Sequence, residues 1–367
     1  MAEYRVGVIG HTGRGNYGHG VDTVWQSIPQ CQVVAVADAD PQGRAAAVDR
    51  LKAPRGFADY REMLDQVPLE IVAIGPRWID QHLDMVLAAA ERGKHIYMEK
   101  PMCRTLEEAD AMVAACEKHH VKLALAHQTR YSPKLHLVRE LIEDGKIGKV
   151  LELRGRGKED RRGGPEDLWV LGSHVMNLIH YFGGEPSWCF ARVTQGGKPI
   201  RKADLVEGAE GIGPLAGDAV TAMYGLDNDV TAYFSSQRNQ GKKPRFGLQI
   251  MGSEGILEIV TGYLPAVMYL PDPMWSPGRT GAAWVPVSSA GIGKPEPLSD
   301  GGLGAGNIVA VQDLLAAIET DRQPECSVYE GRMTIEMIAA VFESHRQGRP
   351  VSVPLENRKN PLSLLES

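Results

Sequence analysis

Within the first 126 residues, short continuously apolar runs alternate with segments of helical pattern, and this alternation limits the fold more than any other feature. Continuously apolar strands that are each followed by a helix are typical of a parallel sheet covered on both faces. We therefore predict a doubly wound parallel sheet with right-handed crossovers. The predicted strands are Tyr4–Ile9, Val33–Ala37, Ile71–Ile74, His95–Met98 and Lys122–Ala126, and the predicted helices are Val21–Ile28, Gln42–Leu51, Tyr60–Asp65, Ile79–Arg92 and Leu106–His119.

After residue 130 the alternation gives way to consecutive strand-like runs joined by turns, which predicts an antiparallel or mixed sheet. We predict a Rossmann domain over residues 1–127 and an α+β domain over 128–367, with closing helices in 307–347 that pack back on the first domain. Residues 271–306 are predicted surface loops, and Lys242–Arg245 is a predicted solvated turn. The predicted strands of this part are Val150–Gly157, Trp188–Thr194, Ala219–Gly225, Val230–Ser236, Phe246–Met251 and Ile256–Val260, and the predicted helices are Pro133–Glu143, Gly172–Phe182, Ile308–Glu319 and Tyr329–Gln347.

Composition excludes several classes of protein. The 40 Lys and Arg against 46 Asp and Glu give a net charge of −6, which argues against a nucleic-acid binder held by a basic field. No apolar run approaches the roughly 18 residues that a membrane helix needs, so no membrane partner is expected. Five scattered cysteines without a CxxC pair indicate neither a zinc ribbon nor a disulfide framework, and no metal site is predicted. With no leader pattern before the first strand, we expect a cytoplasmic protein.

A glycine-rich turn follows the first predicted strand. The dinucleotide-binding fingerprint requires glycines at its first, third and sixth positions, which are here Gly10, Thr12 and Gly15. The middle glycine is missing, and Gly13 and Arg14 follow it. Glycines let the backbone approach a pyrophosphate, and a following helix offers free N–H groups at its N-terminus. The turn therefore predicts cofactor binding by these five residues, with an ordinary strand-to-helix turn as the alternative.

Asp38 ends the second predicted strand. A carboxylate at this place accepts hydrogen bonds from the hydroxyls of the adenosine ribose and repels a 2′-phosphate. The alternative role, N-cap of the next helix, fits Asp40 better because Asp40 directly precedes Pro41. Together the turn and Asp38 predict NAD rather than NADP as the cofactor.

A lysine lies at the carboxyl end of another predicted parallel strand, where open α/β sheets bind their ligands. This residue is Lys100, within the run Tyr97–Met102. Most lysines are solvated surface charges, but a strand end that borders a cofactor cleft favours a functional group. We therefore count Lys100 among the candidate functional residues.

Five features occur in order along the chain: the Gly10–Gly15 turn, Asp38, a Gly75–Pro76 pair followed by His82, the Glu99–Lys100–Pro101 run, and Arg130–Tyr131–Ser132–Pro133. This ordered set resembles the glucose-fructose oxidoreductase, inositol dehydrogenase and rhizopine-catabolism family (Gfo/Idh/MocA), whose signature is the E-K-P run. The segment from Asp313 to Val351 also looks like the closing helices of that family.

The resemblance implies a Rossmann domain followed by an α/β domain on an open, mainly antiparallel sheet. It implies NAD(P) as cofactor and a sugar, cyclitol or related polyol as substrate, with Lys100 near the reacting carbon and the nicotinamide. Along the nicotinamide half it places Pro76, His82, Glu99 and Gln128. Near the domain junction, Arg130 and Tyr131 are predicted to contact the substrate.

One segment departs from the family pattern D-x-G-x-H-x-x-D. The chain has Val170 and Asn177 where the pattern has acids, and His174 where it has its histidine. We predict His174 as a catalytic group, with a core histidine as the alternative, and Asn177 as a substrate contact. Asp167 is predicted to replace the first carboxylate and to contact His174 or a sugar hydroxyl, with a helix cap as the alternative.

A basic stretch precedes this segment and consists of Arg154, Arg156, Lys158, Arg161 and Arg162. It is either a solvated strand edge and loop or a device that steers an acidic sugar or the cofactor phosphates. On the second interpretation Arg162 is a predicted substrate contact.

The leading prediction is an NAD-dependent oxidoreductase that transfers hydride between a secondary alcohol of a sugar, cyclitol or glycoside and nicotinamide, with Lys100 or His174 taking the hydroxyl proton. In a redox-neutral alternative, transient oxidation of the sugar allows elimination of a glycoside bond before re-reduction. A non-catalytic NAD-sensing regulator is a third class, which an intact Lys100 disfavours. Because an open sheet with helices on one side leaves an apolar face, we also expect a homodimer or homotetramer.

Overall fold

The computed structural model describes residues 4–240, 246–274 and 278–366. The described chain divides into two compact units. The first contains the chain up to Gln128 together with Ala209–Gly213 and Leu303–Ile335, and the second contains Thr129–Gly208, Pro214–Gly302 and the chain from Glu336. The predicted turn Lys242–Arg245 lies outside the described residues.

The first unit is built on a six-stranded sheet whose neighbouring strands are all parallel. Its order is β3-β2-β1-β4-β5-β6, which reverses direction at β1 as in a doubly wound fold. The strands are β1 Tyr4–Ile9, β2 Cys31–Ala37, β3 Gly56–Phe57, β4 Ile71–Ile74, β5 His95–Met98 and β6 Leu123–Leu125. The crossover helices are α1 Pro41–Leu51, α2 Tyr60–Gln66, α3 His82–Ala90 and α4 Leu106–Lys118.

Local sequence determines where these elements start. The residues of β4 are fully buried, as expected for a central parallel strand. The side chain of Asp40 accepts the backbone N–H of Gly43, so Asp40 is the N-cap of α1, as predicted. Thr105 caps α4 in the same way by accepting the N–H of Glu108.

The predicted helix Val21–Ile28 is wrong. The chain there forms only a 3₁₀ helix at Val24–Ser27. Thr23, at the N-cap of this short helix, makes no side-chain capping bond. Pro29 directly after the segment has no backbone N–H with which to continue a helix. The periodic apolar residues therefore bury themselves from a loop, not from a helix face.

The second unit contains an eleven-stranded sheet. Its main order is β18-β17-β16-β15-β14-β7-β13-β12-β8-β19, with β9 paired to β8. Among the described strands of this second sheet, the only parallel pair is β7 with β13. The strands are β7 Val150–Arg156, β8 Pro186–Gln195, β9 Lys198–Pro199, β12 Ala219–Leu226, β13 Thr231–Gln237, β14 Gly247–Gly252, β15 Ile256–Val260, β16 Val267–Leu270, β17 Val285–Ser288, β18 Gly291–Ile292 and β19 Val351–Ser352. A separate two-stranded sheet pairs β10 Val206–Glu207 with β11 Pro214–Leu215.

Helices cover one face of the large sheet. They include α6 Pro165–Val170, which lies in a segment predicted as loop, and α7 Gly172–Gly183. At Gly155 on β7 an added Cβ would lie 2.5 Å from a methyl of Val175, so the glycine allows α7 to approach the sheet closely. The remaining helices are α5 Pro133–Glu143, α8 Leu303–Glu319 and α9 Val328–Gln347. Within the first unit, α8 packs on β6 and on the 3₁₀ helix.

The opposite face of the large sheet lacks such a cover in the described chain. Phe190, Met223 and Tyr233 are register partners on β8, β12 and β13, and they form an apolar row across that face. A groove of about 740 Å³ runs beside the row, with Arg154 and Glu258 among its lining residues. No helix in the described part of the chain is both long and apolar enough to cross a membrane. The parallel sheet and the mainly antiparallel sheet confirm the predicted fold class.

A buried ion pair fastens the C-terminal segment of the second unit. Fully buried Glu336 accepts from Arg358 Nη1 at 2.9 Å and from the backbone N–H of Leu355 at 2.7 Å. We expect Glu336→Ala to lower the free energy of unfolding of this unit by about 3 kcal/mol, because Arg358 loses this counter-ion in a buried place. Urea denaturation measures the change. The control is Asp321→Ala, which removes the ion pair between Asp321 and Lys122. The Asp321 side chain is 94% exposed, so this change should leave the urea unfolding transition unchanged. Equal effects of both variants would contradict the assignment.

Candidate functional site

The glycine-rich turn and the end of β2 are joined by Thr12. Its backbone N–H and its hydroxyl both donate to the carboxylate of Asp38, at 3.1 and 2.7 Å. A Cβ added to Gly43 would lie 1.8 Å from the Thr12 hydroxyl oxygen, so glycine at position 43 makes room for threonine at position 12. The missing fingerprint glycine is thus replaced by a residue that ties the turn to the predicted ribose-binding carboxylate.

Side chains hold the turn to the segment that follows β4. His11 Nδ1 lies 2.8 Å from Gln81 Oε1. The guanidinium of Arg14 forms an ion pair with Asp80 and stacks 4.3 Å from the ring centre of Trp78. These bonds give the predicted cofactor residue Arg14 a carboxylate partner within its own unit.

Two observations test whether a dinucleotide fits this turn. Gly13 has φ of +84°, and nothing lies within 4 Å of the place where its Cβ would be, so a phosphate can approach its backbone. Gly15 has φ of +88°, and a Cβ there would lie 2.3 Å from the N of Arg77. Glycine is therefore required at both positions, and the turn fits a pyrophosphate. The expected long helix with its N-terminal N–H groups is absent from this described segment, so the turn itself must supply the contacts.

The buried carboxylate of Glu99, directly after β5, joins the end of that strand to the segment around His19. Its Oε1 accepts from the backbone N–H of His19 at 2.7 Å and contacts His19 Nδ1 at 2.8 Å. Its Oε2 accepts from the backbone N–H of Lys100 at 3.1 Å. Because a carboxylate only accepts, Nδ1 is the nitrogen of the His19 ring that donates to Glu99.

Electrostatics keeps this carboxylate ionised. Burial alone would raise the pKa of Glu99, but the hydrogen bonds from His19 and the charge of Lys100 outweigh it and hold that pKa below its usual value. The His19 side chain is 39% exposed, while Lys100 is 7% exposed. Lys100 and His19 therefore share one fixed negative charge at the carboxyl end of the sheet.

A second polar centre lies beside the first. The fully buried Oδ1 of Asn307 accepts from Tyr97 Oη and from Gln128 Nε2, both at 2.8 Å, and its Nδ2 donates to the carbonyl of His19 at 2.9 Å. Sequence reasoning predicted Gln128 but missed His19 and Asn307. His19 lies in a turn without periodicity, and Asn307 is far away in sequence, so no local pattern pointed to either residue.

His82 is also fully buried. Its Nε2 lies 2.8 Å from the carbonyl of Pro76, and its Nδ1 lies 3.1 Å from the carbonyl of Pro101. The Lys100–Pro101 peptide bond is cis. His82 therefore links the segment after β4 to the segment after β5, and its imidazole acts on the site through those two backbones.

In the second unit, Arg130, Tyr131 and Asn177 are buried together with Val170. Arg130 Nη1 donates to Asn177 Oδ1 at 3.4 Å, and its guanidinium lies 4.6 Å from the ring centre of Tyr181. The structure thus brings together two predicted substrate residues, Arg130 and Asn177.

His174 is half-buried on α7, and its ring packs edge-to-face against Phe246 at 6.2 Å. This apolar contact fixes the plane of the imidazole. The catalytic role of His174 stays a prediction.

Asp167 is buried on α6 and does not face bulk solvent. One carboxylate oxygen accepts from Ser236 Oγ at 2.5 Å and from the N–H of Glu159 at 3.1 Å, while the other is buried without a hydrogen-bond partner in the described chain. Burial raises the pKa of Asp167, although the bonds from Ser236 and Glu159 act against it. These contacts fasten the loop before α6 to β13, and the proposed catalytic role of Asp167 stays a prediction.

The basic stretch is largely neutralised by neighbouring acids. Arg162 bonds to Asp160 at 3.1 Å, and Lys158 lies 3.6 Å from the same carboxylate. Arg156 pairs in the same way with Glu159. Paired charges of this kind favour a solvated edge and loop, and the predicted substrate contact of Arg162 remains untested.

Family comparisons agree with this geometry. The profile described as an oxidoreductase family with an NAD-binding Rossmann fold matches residues 4–127, and the GFO/IDH/MocA C-terminal domain matches residues 135–258. The chain belongs to the Gfo/Idh/MocA oxidoreductase family. Membership confirms the predicted family, the oxidoreductase class and the NAD-binding Rossmann domain.

Curated members of the Gfo/Idh/MocA family align along most of the chain. A levoglucosan dehydrogenase of Pseudarthrobacter phenanthrenivorans is 28% identical over an alignment of 351 positions that covers 87% of this chain and 89% of the relative. A D-apiose dehydrogenase of Paraburkholderia graminis is 24% identical over an alignment of 349 positions that covers 90% of this chain and 85% of the relative. A solved levoglucosan dehydrogenase in complex with NADH and L-sorbose has a TM-score of 0.77 at 24% identity and covers 97% of this chain and 100% of its own. That structural likeness establishes the shared fold.

Asp38 should set the choice between NAD and NADP. A carboxylate about 4 Å from a 2′-phosphate costs up to about 4 kcal/mol per charge pair at an effective dielectric constant near 20. We therefore expect the intact protein to bind NAD more tightly than NADP and Asp38→Ser to narrow the difference, measured by fluorescence titration with both reduced cofactors. The matched control is Asp40→Ser, which removes a charge two residues away but retains an N-cap. Equal affinities in the intact protein would refute the assignment.

Proposed function

We propose that this protein is an NAD-dependent dehydrogenase that oxidises a secondary alcohol of a sugar, cyclitol or glycoside. The observation that carries the proposal is the pair of Lys100 and His19 around the ionised Glu99, at the sheet end where the family binds its cofactor. The names of the aligned relatives, levoglucosan and D-apiose dehydrogenase, support a sugar as substrate.

The first unit supplies the residues that would hold NAD. Gly13 and Gly15 would allow the pyrophosphate to approach the turn, and Asp38 would accept from the adenosine ribose. Bound NAD would supply the hydride acceptor for the carbinol carbon of the substrate. Glu99 and Gln128 are the proposed neighbours of its nicotinamide half.

Lys100 is the proposed general base for the substrate hydroxyl. Its backbone is fixed by the bond from Lys100 N–H to Glu99, and its side chain is nearly buried, so the amine is held at the strand end and shielded from water. His19 offers its Nε2 lone pair from a more exposed position, which suits transfer of the proton to solvent. His174 of the second unit is the alternative acceptor.

The test of the base is Lys100→Met. We expect kcat to fall at least about 10²-fold, since general-base catalysis contributes about 10²–10⁴-fold, while NAD affinity changes only a few-fold. Stopped-flow formation of NADH with a panel of sugars and polyols measures the first, and calorimetry the second. Lys118→Met, at an exposed lysine of α4, is the control for loss of a positive charge. Unchanged turnover in Lys100→Met would leave Lys100 with a structural role only, and product formed by cleavage without net NADH would favour the redox-neutral alternative.

We also propose that the protein is a homodimer or homotetramer through the open face of the large sheet. The apolar row of Phe190, Met223 and Tyr233 and the groove beside it lie on that face. The same open face on each copy can meet its counterpart about a two-fold axis, which suits a symmetric partner.

We propose the cytoplasm as the location of the protein. Its five free thiols, four of them buried, support this location.

Assembly is tested with the double variant Phe190→Glu and Tyr233→Glu. Two carboxylates per copy on the apolar row should shift the light-scattering mass from oligomer to monomer, because each would be buried without a partner in the interface. Val206→Glu on β10, which removes an exposed apolar side chain elsewhere, should leave the mass unchanged. A monomeric intact protein at micromolar concentration would contradict the proposal.

A further inference from the structure

Arg130 has an unusual environment for a buried guanidinium. The residue is 7% exposed, and its hydrogen bond to the neutral Asn177 is long at 3.4 Å. Its Nε is buried and has no acceptor among the described residues. No carboxylate of the described chain forms an ion pair with Arg130, whose other contact is the ring face of Tyr181.

Other partly buried arginines of the same unit are compensated. Arg358 pairs with Glu336 at 2.9 Å, and Arg346 pairs with Glu343. A guanidinium remains charged at every accessible pH, so burial without a counter-ion is expensive. A ligand that brings a negative charge would offset this cost.

Arg139, the second guanidinium on the Tyr181 ring, does not compete with Arg130 for a negatively charged ligand. Arg139 stacks on the same Tyr181 ring at 4.5 Å, but its side chain is 52% exposed and lies 3.6 Å from Glu143. Of these two guanidiniums, only that of Arg130 has no carboxylate partner among the described residues. A single negative charge matches it, whereas a dianionic phosphate would need a second free cation.

We propose that the substrate carries a carboxylate and that Arg130 binds it, so that the preferred substrates are sugar acids and not neutral polyols. This inference rests on the proposed dehydrogenase function and names its substrate class. A carboxylate takes two parallel N–H bonds from a guanidinium, which fixes the orientation of the sugar as well as its charge. Asn177 is the residue that permits this, because an aspartate in its place would occupy Arg130 with an internal partner.

The first measurement is a comparison of matched substrates with NAD, D-gluconate against sorbitol and D-glucuronate against D-glucose. We expect kcat/KM for the acids to be at least about 10-fold higher. Asn177→Asp should lower kcat/KM for the acids relative to that for the neutral sugars by about 10-fold or more. Arg139→Met, at the second guanidinium on the Tyr181 ring, should leave the preference intact.

The second measurement is binding without turnover. Calorimetry with D-gluconate and D-glucuronate, with and without NAD, should show affinity that Arg130→Met abolishes. Because this variant removes a buried charge that has no counter-ion, its melting temperature should not fall, and the added acids should no longer raise it. These readouts separate loss of the ligand site from loss of folding.

The outcomes distinguish this inference from the proposed function. Oxidation of neutral sugars with no preference for acids overturns the role of Arg130 and leaves the dehydrogenase function standing. Arg130-dependent binding of the acids without NADH formation supports the carboxylate site and overturns the dehydrogenase function. Equal binding of the acids by the intact protein and Arg130→Met overturns the inference directly.

Discussion

The carboxylate of Glu99 is the interaction on which the site of the first unit depends. It lies at the end of β5 and takes one hydrogen bond from the backbone of Lys100 and two contacts from His19, so it fixes the strand end and the glycine-rich turn relative to each other. Without a carboxylate there, His19 would lose the bonds that join it directly to the end of β5. Asn307 extends the same arrangement to Tyr97 and Gln128.

The parallel sheet could be predicted because its strands are apolar on both faces and each is followed by a helix. β1, β4 and β5 begin and end where the pattern indicates. The segment after β1 could not be predicted correctly, since its apolar spacing is compatible with a helix and only the structure shows that Thr23 makes no capping bond. The short strands β17 and β18 fell in a Pro- and Gly-rich region whose composition indicated loops.

The candidate site residues also differ in how far the sequence could predict them. Asp38 and Lys100 were predicted because motifs place carboxylates and lysines at strand ends. His19 and Asn307 were missed because their importance comes from contacts between distant parts of the chain. Arg130 belonged to a motif, but its lack of a counter-ion is a property of packing: the sequence shows an arginine and an asparagine, and only the structure shows that they are buried together.

The turn after β1 is held by side chains and not by the backbone ladder of a long helix. His11 with Gln81, Arg14 with Asp80, and His19 with Glu99 are its attachments. Opening of residues 11–16 breaks the bonds of His11 and Arg14 but leaves β1 paired on both sides and the buried Tyr17 outside the opened part. A segment of this kind can open locally while the sheet stays folded, and its amide hydrogens would then exchange earlier than those of β1.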